Sequence, residues 1–358
     1  MGLQSLSVRR FRCFFAVDLD LSPHLNVIKG ENASGKTSIL EALYLLSRGR
    51  SFRTAHLDAA VQQGSGGFLL AAQATSTSQH VPIEISLARQ DGILVAKIAG
   101  KAVKGISQLA AIFPVQLLDG QTNQLINGGP KYRRQFLDWG TFHVEQSFYQ
   151  TWHSYRHALR QRSTLLKANR PEAEVVVWDM ELAKRGEELS KIRQRYLQNL
   201  CPRAIKSAEQ LLNGVSVSIE YRRGWPVGVP LAEALQMWAK KDRMFGITHT
   251  GPHRADLAIR VNGRPAQEVI SRGQEKVLAA AFLLAQADFY QRERGFPCTL
   301  LVDDLAAELD VDHLKRLLQR INEVGAQVIM TTVDSLPALN DTADALFHVK
   351  QGGCLRVV

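Results

Sequence analysis

Lys36 and Thr37 close an eight-residue run, Gly30-Glu31-Asn32-Ala33-Ser34-Gly35-Lys36-Thr37, in which the second glycine is followed at once by a lysine and a hydroxyl. The spacing is that of a P-loop, G-x-x-x-x-G-K-[ST]. Successive backbone N–H groups and the positive end of the next helix cradle phosphates in such a loop. Lys36 is then expected to reach the β and γ phosphates of a nucleotide, and Thr37 to sit on Mg²⁺. Thr299-Leu300-Leu301-Val302-Asp303-Asp304 supplies a second group, an apolar run that ends in two carboxylates. It reads as a buried parallel strand delivering acids to the carboxyl edge of an α/β sheet, where ligands bind. Asp303 there suits a metal ion, and Asp304 suits the water that attacks the γ phosphate. A third group, Ser271-Arg272-Gly273-Gln274, precedes a helical run from Glu275 to Arg292. A serine hydroxyl and a glycine N–H at a helix N-terminus form an anion site, or a plain cap.

These groups need elements to position them. Leu25-Asn26-Val27-Ile28 reads as the strand before the P-loop. Ile39, Leu40, Leu43 and Leu46 recur at a helical period after it, so Ser38 opens a helix. Lys36 and Asp303 lie 267 positions apart yet must meet on one nucleotide, so the domain that holds them is built from two separated pieces. Strands are expected at Leu3 to Phe11 and Phe15 to Leu21, and further strands at 67–74, 81–87 and 93–98 that form an antiparallel sheet beside the nucleotide core. Phe113-Pro114-Val115-Gln116 is a short apolar run ending in a glutamine. The Lys/Arg cluster after Gly128-Gly129, Lys131 to Arg134, is expected to be exposed at a turn.

After this the period changes. Val144, Phe148, Trp152, Tyr155 and Leu159 predict one amphipathic helix, and Trp178, Leu182, Leu189, Ile192, Tyr196 and Leu200 another, with Asn169-Arg170-Pro171 between them. The pair reads as an antiparallel arm whose second helix is kinked or restarted at Pro202. Residues 151–206 hold 12 Lys/Arg against 6 Asp/Glu, over half of the chain's formal excess of +10. That excess suits an acidic partner such as nucleic acid. Four cysteines with no C-x-x-C pair suit a reducing compartment, and no apolar run approaches the roughly 18 residues of a membrane span. A cytoplasmic protein is expected. His249 and His253 are four apart, but Gly251-Pro252 between them argues for a structural loop rather than a metal site.

With the serine-glycine-glutamine stretch about thirty residues ahead of the acidic strand, the chain resembles the ABC ATPases, and within them the SMC-like DNA-repair branch. Gly49-Arg50-Ser51-Phe52-Arg53-Thr54, Gly129-Pro130-Lys131-Tyr132-Arg133-Arg134, Gly251-Pro252-His253-Arg254-Ala255-Asp256-Leu257 and Glu308-Leu309-Asp310 extend the resemblance over nearly the whole chain to the RecF family of bacterial recombination-repair ATPases.

The resemblance implies an α/β, ABC-type P-loop ATPase head of residues 1–135 and 247–358, with an α-helical arm domain of residues 136–246 inserted. It implies ATP and Mg²⁺, binding to single-stranded and gapped DNA, and an ATP-dependent homodimer. RecO and RecR are the implied partners, with RecA loaded indirectly, in DNA replication, repair and the SOS response. Carried over by position, Gln116 would sense Mg²⁺ and the γ phosphate. Ser271, Arg272, Gly273 and Gln274 would meet the nucleotide of the second subunit, and Leu309 and Asp310 would lie at the dimer seam. The P-loop residues Gly30 to Ser38 would hold the nucleotide, with Thr37, Asp303 and Gln116 at the metal and Lys36, Asp304 and Gln116 in catalysis. Ala33 stands where the family commonly has Gly, Asp304 where it has Glu, and no His follows the strand after Asp304. Slow hydrolysis is therefore expected. A transporter's nucleotide-binding subunit would share the motifs but has no reason to carry a basic arm, and a P-loop metabolic kinase would need no signature stretch.

Overall fold

A computed structural model describes residues 2–75, 82–304, 309–333, 343–350 and 352–357. Val81, Glu308 and Asp334 lie outside the described residues. The chain forms two compact units, residues 1–122 with 287–358, and residues 123–286. The expected boundaries lie at 135/136 and 246/247; the compact division falls at 122/123 and 286/287.

In the first unit, β1 (Gly2–Phe11), β2 (Phe14–Asp20), β4 (Gly67–Thr75), β5 (Pro82–Gln90), β6 (Ile93–Ile98) and β7 (Lys101–Ala102) form an antiparallel sheet in the order β2-β1-β4-β5-β6-β7. Its alternation is visible in β1, where Leu6, Val8 and Phe11 face inward. A second sheet has the order β15-β14-β3-β13-β12-β8. It comprises β3 (Leu25–Lys29), β8 (Val115–Leu118), β12 (Thr299–Asp303), β13 (Gln327–Thr332), β14 (Ala345–Lys350) and β15 (Gly353–Arg356), all parallel except β15.

The P-loop helix α1 (Lys36–Arg48) packs against strands of both sheets, which is why it is apolar on nearly every side. The short α2 (Ser107–Ile112) packs on α1, and α10 (Val311–Glu323) connects β12 to β13. The parallel register places Asp303 opposite Thr331 at the carboxyl edge.

The second unit holds α3 (Gln124–Asn127), α4 (Pro130–Val144), α5 (Phe148–Lys167), α6 (Glu172–Leu212), α7 (Leu231–Phe245), α8 (Ala266–Val269) and the start of α9 (Arg272–Arg294). Its sheet is antiparallel, β11-β10-β9, from β9 (Val217–Arg222), β10 (Asp256–Val261) and β11 (Arg264–Pro265). Phe148, Tyr155, Leu182, Leu189 and Ile192 form the apolar seam of α5 and α6, closed by Leu231 and Leu235 of α7. Two expectations are corrected here. The helix α6 is not restarted at Pro202 but runs unbroken through it for 41 residues. Proline removes one rung of the ladder, but the buried Ala204, Ala208, Leu211 and Leu212 beyond it hold the helix in place. Of the cluster after Gly129, only Lys131 is exposed. Arg133 makes a two-pronged bond to Asp256, at 2.6 and 3.1 Å, and Arg134 donates to the Ala255 carbonyl, because α4 packs its first turn against β10.

Candidate nucleotide site

The P-loop is shaped by its two glycines. Gly35 has φ +116°, a conformation L side chains rarely adopt, and a Cβ there would come within 2.7 Å of Cys13 Sγ and of the Phe14 ring. A Cβ on Gly30 would meet the Val349 carbonyl oxygen at 2.4 Å. Ala33, between them, has φ 62°, so a residue with a side chain is held in the left-handed region.

Lys36 is buried, and its Nζ donates to the carbonyls of Gly30 and Glu31, both at 2.8 Å. Among the described residues it meets no carboxylate. The buried Ser34 hydroxyl has no hydrogen-bond partner among the described residues. A buried ammonium satisfied only by neutral carbonyls, beside an orphaned hydroxyl, suits the oxygens of an anion.

Thr37 Oγ1 donates to Asp303 Oδ1 at 3.0 Å. The same carboxylate oxygen accepts from Thr331 Oγ1 at 2.6 Å, and Thr331 Oγ1 in turn accepts from the Asp304 N–H at 3.1 Å. Thr331 thus orients both acidic residues, a role the sequence reading missed. Asp304 has φ 46°, a turn that brings it to the cavity wall rather than on along the sheet.

Lys36, Thr37, Asp303 and Asp304 line a cavity of about 540 Å³, within the range of a small-molecule site. Arg12 and Arg53 line it too. Both are held from behind by Glu41, one helical turn after Thr37 and fully buried. Its carboxylate takes two bonds from Arg12, at 2.6 and 2.8 Å, one from Arg53 at 3.3 Å, and one from the Ser51 hydroxyl. Of this group only Ser51 and Arg53 stand in a stretch singled out in the sequence, Gly49 to Thr54, and without a role; an acidic residue on an apolar helix, Glu41, was the available clue to the rest. Cys13 also lines the cavity, and burial pushes its thiol pKa up, so it adds no negative charge there.

Gln116, Asp310 and the stretch from Ser271 to Gln274 do not line this cavity. Gln116 lies inside β8, buried, opposite Leu300, so it is three residues back from Asp303, roughly 10 Å along the strand. It is not on the cavity wall. The strand runs two residues beyond it, and Gln121 is the glutamine past the carboxyl end. Asp310 caps α10, accepting from the His313 N–H at 2.9 Å and pairing with its ring. Ser271 and Gln274 form a reciprocal cap on α9: Ser271 Oγ accepts from Gln274 N at 3.3 Å and Gln274 Oε1 from Ser271 N at 3.0 Å. Ser271 and Arg272 are exposed, and Gly273 is half-buried beside them.

His249 and His253 are both engaged in the second unit. His249 bonds the buried Asp242, and His253 bonds Tyr155 and the Thr248 carbonyl. Among the described residues no group of three or more His, Cys, Asp and Glu could hold a metal ion; the oxygens of Thr37 and Asp303 are of the hard type that Mg²⁺ takes beside phosphates. No helix among the described residues is long and apolar enough to cross a membrane.

The family described as RecF/RecN/SMC N terminal domain matches residues 2–354. The chain is 36% identical over 355 residues to the DNA replication and repair protein RecF of Vibrio vulnificus strain CMCP6, covering 98% of this chain and 99% of that protein. It is 38% identical over 355 residues to RecF of Shewanella loihica, covering 98% of each. The solved structure of the recombination mediator protein RecF-ATP in the RecFOR pathway superposes with TM-score 0.90 at 25% identity, over 100% of this chain and 98% of that one. An Smc head domain from Pyrococcus furiosus, at 18% identity and TM-score 0.62 over 99% and 96%, shares the fold. The α/β architecture is therefore that of an SMC-like ABC-type ATPase head with helices added, and the chain belongs to the RecF family within the RecF/RecN/SMC N-terminal domain group.

Proposed function

We infer that the chain is an ATP-dependent DNA-binding ATPase of recombinational DNA repair, working as a dimer that closes on DNA at gaps or duplex–single-strand junctions. The observation that carries this reading is the meeting of Lys36, Thr37 and Asp303 in one cavity walled by cations, in a chain whose relatives are RecF proteins. Lys36 exchanges its two loop carbonyls for phosphate oxygens, and the free Ser34 hydroxyl gains a partner. Thr37 and Asp303 hold Mg²⁺, which neutralises phosphate charge when bound. Asp304 positions the attacking water.

The exposed Ser271-Arg272-Gly273-Gln274 cap of a second copy closes over the phosphates, so that ATP adds favourable contacts only in the dimer and shifts the population toward it. Hydrolysis, slowed by the short Asp304 side chain, reopens the pair. In this role the protein acts with RecO and RecR to promote RecA loading, replication restart and the SOS response, in the cytoplasm. The ATPase head is the P-loop unit, and the helical arm serves the DNA.

Fluorescence anisotropy of a labelled gapped duplex tests the reading, with ATP, ADP or no nucleotide. Tight binding with ATP alone, lost on Ser271→Arg, is the expected result; equal binding in every nucleotide state contradicts it.

A further inference from the structure

The arm's positive charge is not spread evenly. The 41 residues of α6 carry seven acidic and seven basic side chains, and so are neutral. The 20 residues of α5 carry four arginines and lysines and no acidic residue. One of the four, Arg162, is buried and paired with Asp179 and Asp242. The others, Arg156, Arg160 and Lys167, are exposed.

At 3.6 residues per turn, Tyr149, His153, Arg156, His157, Arg160, Thr164 and Lys167 share one arc roughly 100° wide. Every one of them is exposed, while Phe148, Thr151, Tyr155, Ala158, Arg162 and Leu166 are buried on the opposite side. Among the described residues Arg156, Arg160 and Lys167 meet no carboxylate. Arg162, Arg170, Arg185, Arg193 and Arg195, on the same two helices and the turn between them, all do. Arg156 lies over the Trp152 ring instead, 4.9 Å from its centroid.

A solvated helix face usually intersperses both signs; a face of one sign, unneutralised from within, is complementary to a polyanion. From Arg156 to Lys167 it spans roughly 16 Å at 1.5 Å per residue. One strand of a duplex presents a phosphate about every 3.4 Å of its axis, so about five phosphates pass along this length.

We propose that this face of α5 is the surface that carries the DNA backbone, through Arg156, Arg160 and Lys167. The proposal rests on the DNA-binding reading above and assigns that binding to one helix face. Contacts of this kind carry no sequence information and weaken with salt.

The test is duplex affinity of the full chain with ATP across a salt series, for the wild type and for Arg156→Ala/Arg160→Ala/Lys167→Ala. All three sites are exposed and helical, where alanine is well tolerated, and unchanged ATP binding and thermal midpoint check folding. The expected result is a salt slope smaller by about 2.7, from about 0.9 per lost phosphate contact, with the slope retained when the two arginines become lysine. A wild type that binds DNA and a triple variant with the same affinity and slope overturn the assignment alone. A wild type that binds no DNA overturns the DNA-binding reading and the assignment with it.

Discussion

Thr37 and Asp303, 266 positions apart in the chain, stand 3.0 Å from hydroxyl to carboxylate at the mouth of the P-loop helix. The parallel register of β12 between β8 and β13 puts Asp303 there, and Thr331 fixes its orientation. Asp303→Asn keeps the shape and removes the charge that a divalent cation needs. Mg²⁺-dependent ATP affinity is expected to fall by about 10- to 100-fold, while Thr331→Val, which removes only the orienting hydroxyl, gives a smaller loss. An Mg²⁺ titration with a fluorescent ATP analogue measures both, and an unaltered Asp303→Asn variant counts against the site.

Glu41 is the buried anchor for two of the cavity's cations. Glu41→Gln strands Arg12 without its charge partner and is expected to cost about 3–5 kcal/mol of stability, the range for breaking a buried pair. Nucleotide affinity should drop in the same variant, because Arg12 and Arg53 lose their common support. Urea unfolding with and without ATP separates the two effects; a variant as stable as wild type would mean the carboxylate holds nothing in place.

Ala33 at φ 62° carries strain that glycine does not. Ala33→Gly is expected to raise stability by about 1 kcal/mol, seen as a higher denaturant midpoint at unchanged slope. A lower midpoint would show that loop stiffness outweighs the strain.

His253 ties the arm to acid stability. Burial, the leading cause, lowers its pKa from 6.5 to about 4. Its two hydrogen bonds suit the neutral ring, with Nε2 donating to the Thr248 carbonyl and Nδ1 accepting from Tyr155. The unfolded chain takes up the proton first as pH falls. The contribution, up to about 3 kcal/mol, is thus complete above pH 6.5 and is lost as pH falls toward 4. His253→Gln should therefore lose less stability than wild type between pH 7.5 and 4.5 in thermal scans, and equal losses would refute the assignment.

Gln121 follows the carboxyl end of β8, at the edge where the neighbouring β12 ends in Asp303, whereas Gln116 is buried inside β8. Gln121→Ala is expected to slow ATP turnover at least about tenfold, in the range of a removed metal-supporting group. Gln116→Leu should leave turnover per folded molecule unchanged; the opposite ranking in a steady-state assay would restore Gln116.

The P-loop, its strand and helix, the acidic strand and the helical pair were all legible in the sequence, because each follows from a local period or spacing. What escaped was set by pairing between distant segments. Gln116 was placed at a strand end because the apolar run seemed to stop there, whereas β8 continues through Leu117 and Leu118. Thr331 and Glu41 carry no motif, and their roles arise from which strand neighbours β12 and from Arg12 reaching across to α1. Arg133 and Arg134 looked exposed beside two glycines, but Asp256 at the start of β10 and the Ala255 carbonyl just before it supply their partners more than 120 positions later.

In the proposed clamp, ATP joins two copies through Ser271 of one over the P-loop of the other. Sedimentation of the purified chain with Mg²⁺ and ATP, with ADP and with no nucleotide, for wild type and Ser271→Arg, tests it most directly. A dimer is expected for the wild type with ATP and a monomer in every other case. A wild type that stays monomeric with saturating ATP, or a Ser271→Arg protein that still dimerises, contradicts it.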